Sequence, residues 1–235
     1  MKDPRVVGAF NQAVTLTISV LFALFLFPID EGYAKSFPTE CLGESKGAKG
    51  RLVYLHGFEP LKGGRSEAEE QNRQLLKRLA REFSLVIALP RGPPCPNQKL
   101  CWPSRDEDEV LDTFQGLEES ILKCWDKDST YSLVGFSNGG YYAFKIYKLH
   151  QDKRLIRIIA SGSSGLWDSG KEKPNPLSRF QLTIGDRDIT LNDAKSFAGQ
   201  FVKSVPDFRL RIFKGGHHLD YDALKGLLGE GSSRE

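Results

Sequence analysis

The sequence predicts a single-domain α/β fold, with a mostly parallel sheet of about six strands and helices on both faces. Short apolar runs alternate with segments of helical periodicity from one end of the domain to the other. These runs are apolar at nearly every position, which is typical of parallel strands that are buried on both faces. No repeat or linker interrupts residues 51–230, so we expect one domain without a large lid.

Six apolar runs give the predicted strands. Each run ends at or near a glycine, a proline or a polar residue, as strands of a buried sheet do. In chain order the predicted strands are Leu52–Leu55, Leu85–Leu89, Tyr131–Gly135, Leu155–Ala160, Phe180–Ile184 and Phe208–Phe213.

Five segments with helical features follow these strands. In a capping box, the side chain of a Ser or Thr accepts a hydrogen bond from the N–H three residues later. Three pairs have a suitable spacing: Ser66 before Glu69, Ser104 before Glu107, and Thr190 before Asp193. The predicted helices cover about 66–83, 104–121, 138–149, 190–203 and 219–228.

The first 34 residues are predicted to lie outside the α/β domain. After Lys2 and Arg5, residues 6–29 carry no charge, and Gly32-Tyr33-Ala34 provides small residues at a cleavage-like position. This pattern is typical of a secretory signal peptide. The alternative is an uncleaved membrane anchor, because an uncharged stretch of this length could also cross a bilayer. In both cases the domain would be exported.

Two polar segments flank the predicted domain. Residues 35–50 are rich in Gly and Lys, and we expect them to be a leader without a strand. Residues 231–235 are expected to be a polar tail. The α/β domain is therefore assigned to residues 51–230.

Charge and motif content argue against several function classes. The chain has 33 Lys and Arg residues against 30 Asp and Glu, a net charge of +3, and no run of five like charges. A nucleic-acid-binding protein would concentrate basic residues on one face. The sequence also has no Gly-Lys-Ser/Thr phosphate loop, and no Gly-x-Gly-x-x-Gly opens a helix after a strand. We therefore expect neither a nucleic-acid partner nor a cofactor.

All four cysteines lie beyond the predicted export segment. An even number in an exported chain suggests two disulfides, which could form in any of three pairings. Cys95 and Cys101 border a Pro-rich stretch and could close it, which would leave Cys41 to pair with Cys124. A zinc site is the alternative, but no Cys-x-x-Cys spacing or nearby His supports it.

Residues capable of chemistry follow four of the predicted strands. In a parallel sheet these positions meet beyond the carboxyl ends of the strands, where ligands bind. Ser137 has the Gly-x-Ser-x-Gly spacing of a nucleophile on a sharp turn between strand and helix, where side chains at Gly135 or Gly139 would collide with their neighbours. The other segments are His56-Gly57-Phe58, Gly185-Asp186-Arg187-Asp188 and Gly215-Gly216-His217-His218.

Serine, aspartate and histidine follow one another in the order expected of a catalytic triad on such a turn. Two aspartates and two histidines are present where one of each is needed. Asp186 or Asp188 could orient the imidazole, and His217 or His218 could act as the base. His56 precedes Gly57 and Phe58, and we expect it to order that loop by hydrogen bonding.

On these motifs the chain resembles the α/β-hydrolase superfamily, and within it small serine esterases of the carboxylesterase and dienelactone-hydrolase type. The resemblance runs from Arg51 to about Leu228. It implies that the Gly-x-x-Asp spacing selects Asp188 and that the late Gly-His pair selects His217. The chain departs from the common pattern because the first antiparallel strands are expected to be missing.

The chemistry that follows is acyl transfer. Ser137 would attack an ester carbonyl, His217 would take the serine proton and return it to the leaving alcohol, and Asp188 would orient the imidazole. The backbone N–H groups of Phe58 and Asn138 are expected to form the oxyanion hole.

Two long stretches, Pro90–Pro103 and Ser161–Ser178, are predicted to be irregular and to border an open site. Trp102 and Trp167 could line an acyl pocket, although simple packing is the plainer interpretation. We expect a small-molecule or polymer-end ester as substrate, in the periplasm or outside the cell. A membrane would be a partner only if the N-terminal segment stays uncleaved.

Other function classes could use the same residues. A peptidase or an acyltransferase would use the same triad. A non-catalytic binding protein could also retain the fold, since one fold supports many functions.

Overall fold

The computed structural model describes residues 37–95, 98–165, 176–203, 205 and 207–229. These residues form a seven-stranded sheet with five helices and a small three-stranded sheet. The predicted signal segment 1–34, Trp167 and the predicted tail 231–235 lie outside the described residues.

Strands and helices alternate along most of the described chain. The strands are β1 (Thr39–Leu42), β2 (Gly50–Leu55), β3 (Glu59–Pro60), β4 (Leu85–Pro90), β5 (Pro94–Cys95), β6 (Lys99–Leu100), β7 (Tyr131–Phe136), β8 (Leu155–Ser161), β9 (Arg179–Gly185) and β10 (Arg209–Phe213). The helices are α1 (Glu67–Phe83), α2 (Glu107–Ile121), α3 (Asn138–Leu149), α4 (Leu191–Phe201) and α5 (Tyr221–Gly229). Within the described ranges, no helix is both long enough and apolar enough to span a membrane.

The large sheet has the order β1-β4-β2-β7-β8-β9-β10. All neighbouring pairs are parallel except β1 and β4, which are antiparallel. The predicted mostly parallel α/β sheet is therefore confirmed. Because β2, β7, β9 and β10 run in the same direction, the four motifs that follow them come to one edge of the sheet.

The prediction that residues 35–50 contain no strand is wrong. Thr39–Leu42 forms β1, which pairs with Ile87–Pro90 of β4. Only Leu42 is buried in this strand, and the Glu40 carboxylate binds the guanidinium groups of Arg65 and Arg73. An edge strand with one buried residue produces no apolar run, and for this reason the sequence pattern did not reveal it.

The core has two parts, one on each face of the sheet. Side chains alternate between the faces along each strand, so neighbouring apolar residues of β2 enter different parts. Val53 and Leu55 pack on the side that includes Phe114, Tyr142 and Phe201 of α2, α3 and α4. Leu52 and Tyr54 pack on the side that includes Leu76 and Leu224 of α1 and α5. This double burial explains why the central strands are apolar at most positions. β10, at the edge of the sheet, has no buried residue and contains Arg209 and Arg211.

Helix capping follows the sequence prediction at α1 but not at α2. The hydroxyl oxygen of Ser66 accepts a hydrogen bond from the N–H of Glu69 at 3.2 Å. At α2 the cap is Asp106, whose carboxylate accepts from the N–H of Glu109 at 2.9 Å. The predicted cap Ser104 is wrong because the helix begins at Glu107, three residues further on.

Two disulfides join the four cysteines, and no described cysteine is free. Cys41 of β1 pairs with Cys124 after α2, and Cys95 pairs with Cys101. The second bridge closes part of the stretch Pro90–Pro103, which was predicted to be irregular. That stretch contains β5 and β6, which form the small sheet together with β3. Disulfides of this kind are typical of an extracellular or periplasmic location.

Candidate active site

Ser137 lies on the sharp turn between β7 and α3. Its backbone has a φ of 52° and a ψ of −116°, a conformation that residues with side chains rarely adopt. The N–H of Ser137 donates a hydrogen bond to the carbonyl of Ser161 at 2.8 Å, which fixes the turn to the end of β8. This strained strand-to-helix turn is the geometry that exposes a nucleophile above the edge of an α/β sheet.

Gly135 and Gly139 allow this turn because other backbone atoms approach them closely. A Cβ at Gly135 would lie 2.1 Å from the carbonyl oxygen of Gly139. A Cβ at Gly139 would lie 2.3 Å from the carbonyl oxygen of Leu55 in β2. Any side chain at either position would therefore collide with backbone.

Three side chains that are distant in sequence meet beside this turn. His217 places Nε2 at 3.0 Å from Oγ of Ser137 and Nδ1 at 2.8 Å from Oδ2 of Asp188. An imidazole protonated at Nδ1 donates to the carboxylate and leaves Nε2 free to accept the serine proton. The Asp188 side chain is fully buried, whereas 37% of the His217 side chain is exposed.

Asp188 is held as a carboxylate by several donors. The N–H and the hydroxyl of Thr190 each donate to Oδ1 at 2.9 Å. Burial acts to raise the pKa of Asp188, but the hydrogen bonds from Thr190 and His217 outweigh it and hold the pKa below its ordinary value. Thr190 occupies the predicted N-cap position of α4, yet its side chain makes no capping bond there. The sequence pattern missed its contact with Asp188.

Asp186 and His218, the alternatives from the sequence, make different contacts. Oδ1 of Asp186 accepts from the N–H of Gly215 at 2.9 Å, so this carboxylate stabilises the turn before His217. The His218 ring is exposed and packs against Phe213, with 5.2 Å between ring centroids. Among the contacts of the described residues, neither side chain reaches Ser137.

The His56-Gly57-Phe58 segment lies against Ser137 on the other side. A Cβ at Gly57 would be 3.3 Å from the Cβ of Ser137, and the N–H of Gly57 donates to the Glu69 carboxylate at 2.9 Å. Phe58 follows, and its side chain is 56% exposed. Its N–H donates to none of the described groups. This N–H and that of Asn138, which directly follows Ser137, are the two predicted oxyanion donors.

Glu69 is a site residue that the capping pattern did not identify. Its carboxylate does not complete the capping box. Instead it accepts from Gly57 and from the hydroxyl of Tyr54, the latter at 2.7 Å. Burial raises the pKa of the Glu69 carboxyl above its ordinary value, although both hydrogen bonds act to lower it. One signal was available, because Glu69 and Asn72 share helical spacing with the buried Leu76 and so lie on the buried face of α1.

His56 is a neutral structural residue. Its Nδ1 lies 2.5 Å from the carbonyl oxygen of Gly57, and Nε2 accepts a hydrogen bond from the N–H of Gly92 at 2.8 Å. Burial lowers the pKa of His56 to about 4, and the positive charges of Arg91 and Arg65 act in the same direction. The imidazole therefore orders the loop before Phe58, as the sequence suggested.

Trp102 packs inside the domain and lines no open pocket. It is 1% exposed, and its ring stacks on Tyr142 at 5.5 Å between centroids. Its backbone N–H donates to Oδ1 of Asn138 at 2.7 Å, and its carbonyl accepts from Nδ2 of Asn138 at 3.1 Å. The indole N–H donates to the carbonyl of His56 at 3.1 Å.

One group of described side chains has the arrangement of metal ligands, namely Glu118, His150 and Asp152. Arg154 already contributes a positive charge there, because its guanidinium binds both Glu118 and Asp152. Because this guanidinium already binds both carboxylates, the described contacts of the group are those of an ion-pair network.

Solved structures share the architecture of this chain. The crystal structure of esterase PE8 matches it with a TM-score of 0.59 at 22% identity, over 83% of this chain and 98% of that one. A Bacillus cereus carboxylesterase matches with a TM-score of 0.60 at 14% identity, over 83% and 92%. The chain has the α/β-hydrolase fold. XC6422 from Xanthomonas campestris, an α/β serine hydrolase without a lid, matches with a TM-score of 0.55 at 16% identity, over 83% and 88%.

No family model matches the sequence, and no curated protein matches it. The similarity therefore rests on structure, and it shows the fold. Within this fold Ser137 follows β7, Asp188 follows β9 and His217 follows β10, and the parallel sheet brings these three positions together.

Proposed function

We propose that the protein is a serine hydrolase that cleaves carboxylic esters through an acyl-enzyme. The observation that carries this proposal is the continuous contact from Ser137 to His217 to Asp188, at 3.0 Å and 2.8 Å. The neighbours named esterase and carboxylesterase support an ester as the substrate class.

The acid–base steps follow from the positions of the two imidazole nitrogens. Nε2 of His217 takes the proton from Oγ of Ser137 as the oxygen attacks the ester carbonyl. The imidazolium then donates that proton to the leaving alcohol, and the acyl group stays on Ser137. Water then attacks the acyl carbonyl and loses a proton to the same nitrogen. The imidazolium returns this proton to Oγ of Ser137 as the bond between the acyl carbon and Oγ breaks, and the acid leaves. Asp188 remains ionised throughout and stabilises the imidazolium.

The backbone N–H groups of Phe58 and Asn138 would bind the negative oxygen of each tetrahedral intermediate. Asn138 directly follows Ser137, and Phe58 directly follows Gly57, which lies next to the Ser137 side chain. These positions support the role. Asn138 also starts α3, where the helix dipole favours negative charge. Removing one such donor from a hydrolase typically costs on the order of 10²–10³ in kcat.

An open site suits a small ester or the end of a polymer. The exposure of His217 and Phe58 supports this substrate class. The acyl and alcohol parts of the substrate must then be recognised mostly at the protein surface.

We also propose that the protein is exported. The two disulfides support an oxidising compartment, and residues 1–34 are proposed to direct the chain there as a signal peptide. An uncleaved segment would instead leave the enzyme attached to a membrane.

Labelling with a fluorophosphonate probe, combined with a panel of p-nitrophenyl esters of increasing acyl length, tests this function. We expect the wild type to be labelled and to turn over the shorter esters. Ser137→Ala should lose labelling and lower kcat/KM by roughly 10⁵–10⁶. Ser164→Ala is the matched control, because this serine lies after β8 and contacts the Tyr141 hydroxyl but not His217. Ser164→Ala should keep both the probe labelling and the ester turnover of the wild type.

The other function classes give different outcomes. A labelled protein that cleaves peptides, or that transfers acyl groups to an added amine faster than to water, would be a peptidase or an acyltransferase. A wild type that is neither labelled nor active would be a binding protein, and the proposal would be wrong.

A further inference from the structure

A segment closed by a disulfide contacts both sides of the proposed oxyanion hole. We call it the clasp and define it as residues Gly92–Cys95 and Gln98–Trp102. Its two arms are joined by the bond between Cys95 and Cys101 and by the antiparallel pair β5–β6. The N–H of Cys101 also donates to the carbonyl of Pro93 at 3.1 Å. The arms touch so closely that a Cβ at Gly92 would lie 2.8 Å from the carbonyl oxygen of Cys101.

The clasp holds the chain immediately before and immediately after Phe58. On the N-terminal side, His56 binds Gly92 through Nε2 and binds the Trp102 indole through its carbonyl. On the C-terminal side, β3 pairs with β6, so Glu59 lies opposite Leu100. The Phe58 N–H is therefore placed by a loop whose two ends are both attached to the clasp.

The clasp also holds the second donor. The side-chain amide of Asn138 binds both the N–H and the carbonyl of Trp102, at 2.7 Å and 3.1 Å. A two-point contact of this kind fixes the first residue of α3 in position and orientation. Asn138 is 8% exposed and Trp102 is 1% exposed, so water does not compete for these bonds.

We propose that the clasp, through Trp102 and the side chains of His56 and Asn138, sets the distance between the two oxyanion donors, and that the Cys95–Cys101 bond maintains this geometry. These are positioning residues, because none of the contacts that define the clasp involves Ser137 or His217. The inference rests on the proposed hydrolase function. An oxyanion hole acts only when its donors are fixed in advance, and a misplacement of about 1 Å can cost on the order of 10² in rate.

The second disulfide offers a matched control. Cys41–Cys124 joins residues 83 positions apart, whereas Cys95–Cys101 joins residues 6 apart. A bridge that closes a longer loop stabilises the folded state more. The double variant Cys41→Ala/Cys124→Ala should therefore lower the melting temperature more. It should change kcat less than about threefold at temperatures where it is folded, since its bridge touches neither donor.

The double variant Cys95→Ala/Cys101→Ala should show the opposite pattern. We expect a smaller fall in melting temperature, and a fall in kcat for p-nitrophenyl acetate of roughly 10–100-fold with KM within about threefold. A trifluoromethyl ketone, whose adduct on Ser137 places an oxyanion between the donors, should bind more weakly by a similar factor. These readouts separate positioning from general stability.

A second series keeps the inference testable if the clasp variant does not fold. Asn138→Ala removes both bonds to Trp102 but retains the backbone N–H, and should lower kcat by roughly 10²-fold. Asn138→Asp keeps the acceptor for the Trp102 N–H but places a carboxylate oxygen against the Trp102 carbonyl and a negative charge beside the oxyanion, so it should lose at least as much kcat as Asn138→Ala. Ser120→Ala is the control, because Ser120 is also buried and also binds a distant backbone N–H, that of Phe37. It should keep wild-type kcat.

The outcomes distinguish the two proposals. An active wild type together with unchanged kcat in both the clasp variant and Asn138→Ala would overturn the clasp and leave the hydrolase intact. Equal losses of kcat in the two disulfide variants would likewise overturn the clasp in favour of general destabilisation. A wild type without labelling or turnover would overturn the hydrolase, and the clasp with it.

Discussion

The two sides of the site are built in opposite ways, and their histidines show this most clearly. His217 is partly exposed, and its imidazole forms hydrogen bonds with two other side chains, those of Ser137 and Asp188. His56 is 6% exposed, and its imidazole forms hydrogen bonds with the backbone of Gly57 and Gly92. In the proposed mechanism the first imidazole transfers protons between Ser137, the leaving alcohol and water. The other is placed to stay neutral and hold a loop.

This difference follows from what each side is required to do. Proton transfer needs a group that can change charge during the reaction and that substrate can reach. Oxyanion binding needs fixed dipoles in a site from which water is excluded. If the proposed mechanism holds, the two tasks fall on different loops, with His217 after β10 and His56 after β2.

The largest effect should distinguish the two adjacent histidines after β10. We expect His217→Ala to lower kcat/KM by roughly 10⁵–10⁶, as much as Ser137→Ala, because members of one catalytic unit are not additive. His218→Ala should retain most activity, since its ring contacts Phe213 and not Ser137. Steady-state kinetics on p-nitrophenyl acetate measures both. Full activity in His217→Ala would assign the base to another residue.

The next largest effect concerns the two aspartates after β9. Asp188→Asn should lower kcat by about 10⁴, because an amide oriented by Thr190 favours the wrong tautomer of His217. Asp186→Asn should lower kcat less than tenfold and reduce the melting temperature, since it weakens the bond to the Gly215 N–H. If Asp186→Asn were instead the variant that loses activity, the acid would be misassigned while the fold and reaction remained as proposed.

The sequence predicted the parallel strands and the sharp turn at Ser137 well, because both depend on local patterns. Buried parallel strands are apolar throughout, and the Ser137 turn needs glycine at two positions. β1 was not predicted because it is a polar edge strand with one buried residue. Its place in the sheet depends on pairing with β4, which lies more than forty residues away in the sequence.

Two further differences between the sequence prediction and the structure have the same physical cause. Glu69 and Thr190 fit local capping patterns, yet the Glu69 carboxylate binds Gly57 and the Thr190 hydroxyl binds Asp188. Each side chain stands at a sequence position from which residues of its type often cap a helix. Each instead satisfies a partner at the site, a buried backbone N–H in one case and a buried carboxylate in the other, and leaving such a group unpaired would cost more than a weakened cap. A tertiary partner of this kind cannot be identified from spacing alone.

The smallest expected effect is on the free energy of unfolding, and it tests the role of the buried His56. Burial lowers the pKa of His56 to about 4 in the folded protein, whereas an unfolded histidine titrates near 6.5. Between these values the unfolded chain binds a proton that the folded chain does not. The stability contributed by neutral His56 is therefore fully present above pH 6.5 and is lost as the pH falls towards 4, by roughly 3 kcal/mol in total.

Urea denaturation at several pH values measures this loss, and His56→Asn removes the titrating group. The variant should be less stable at pH 7, because the Gly92 N–H loses its imidazole partner, but its stability should fall less steeply between pH 6.5 and 4. His150→Asn is the matched control, since burial also lowers the pKa of His150, which retains 22% side-chain exposure and faces Asp152. It should flatten the curve less than His56→Asn does. An unchanged slope in His56→Asn would mean that folding does not lower the pKa of His56, and its role as a neutral structural residue would be wrong.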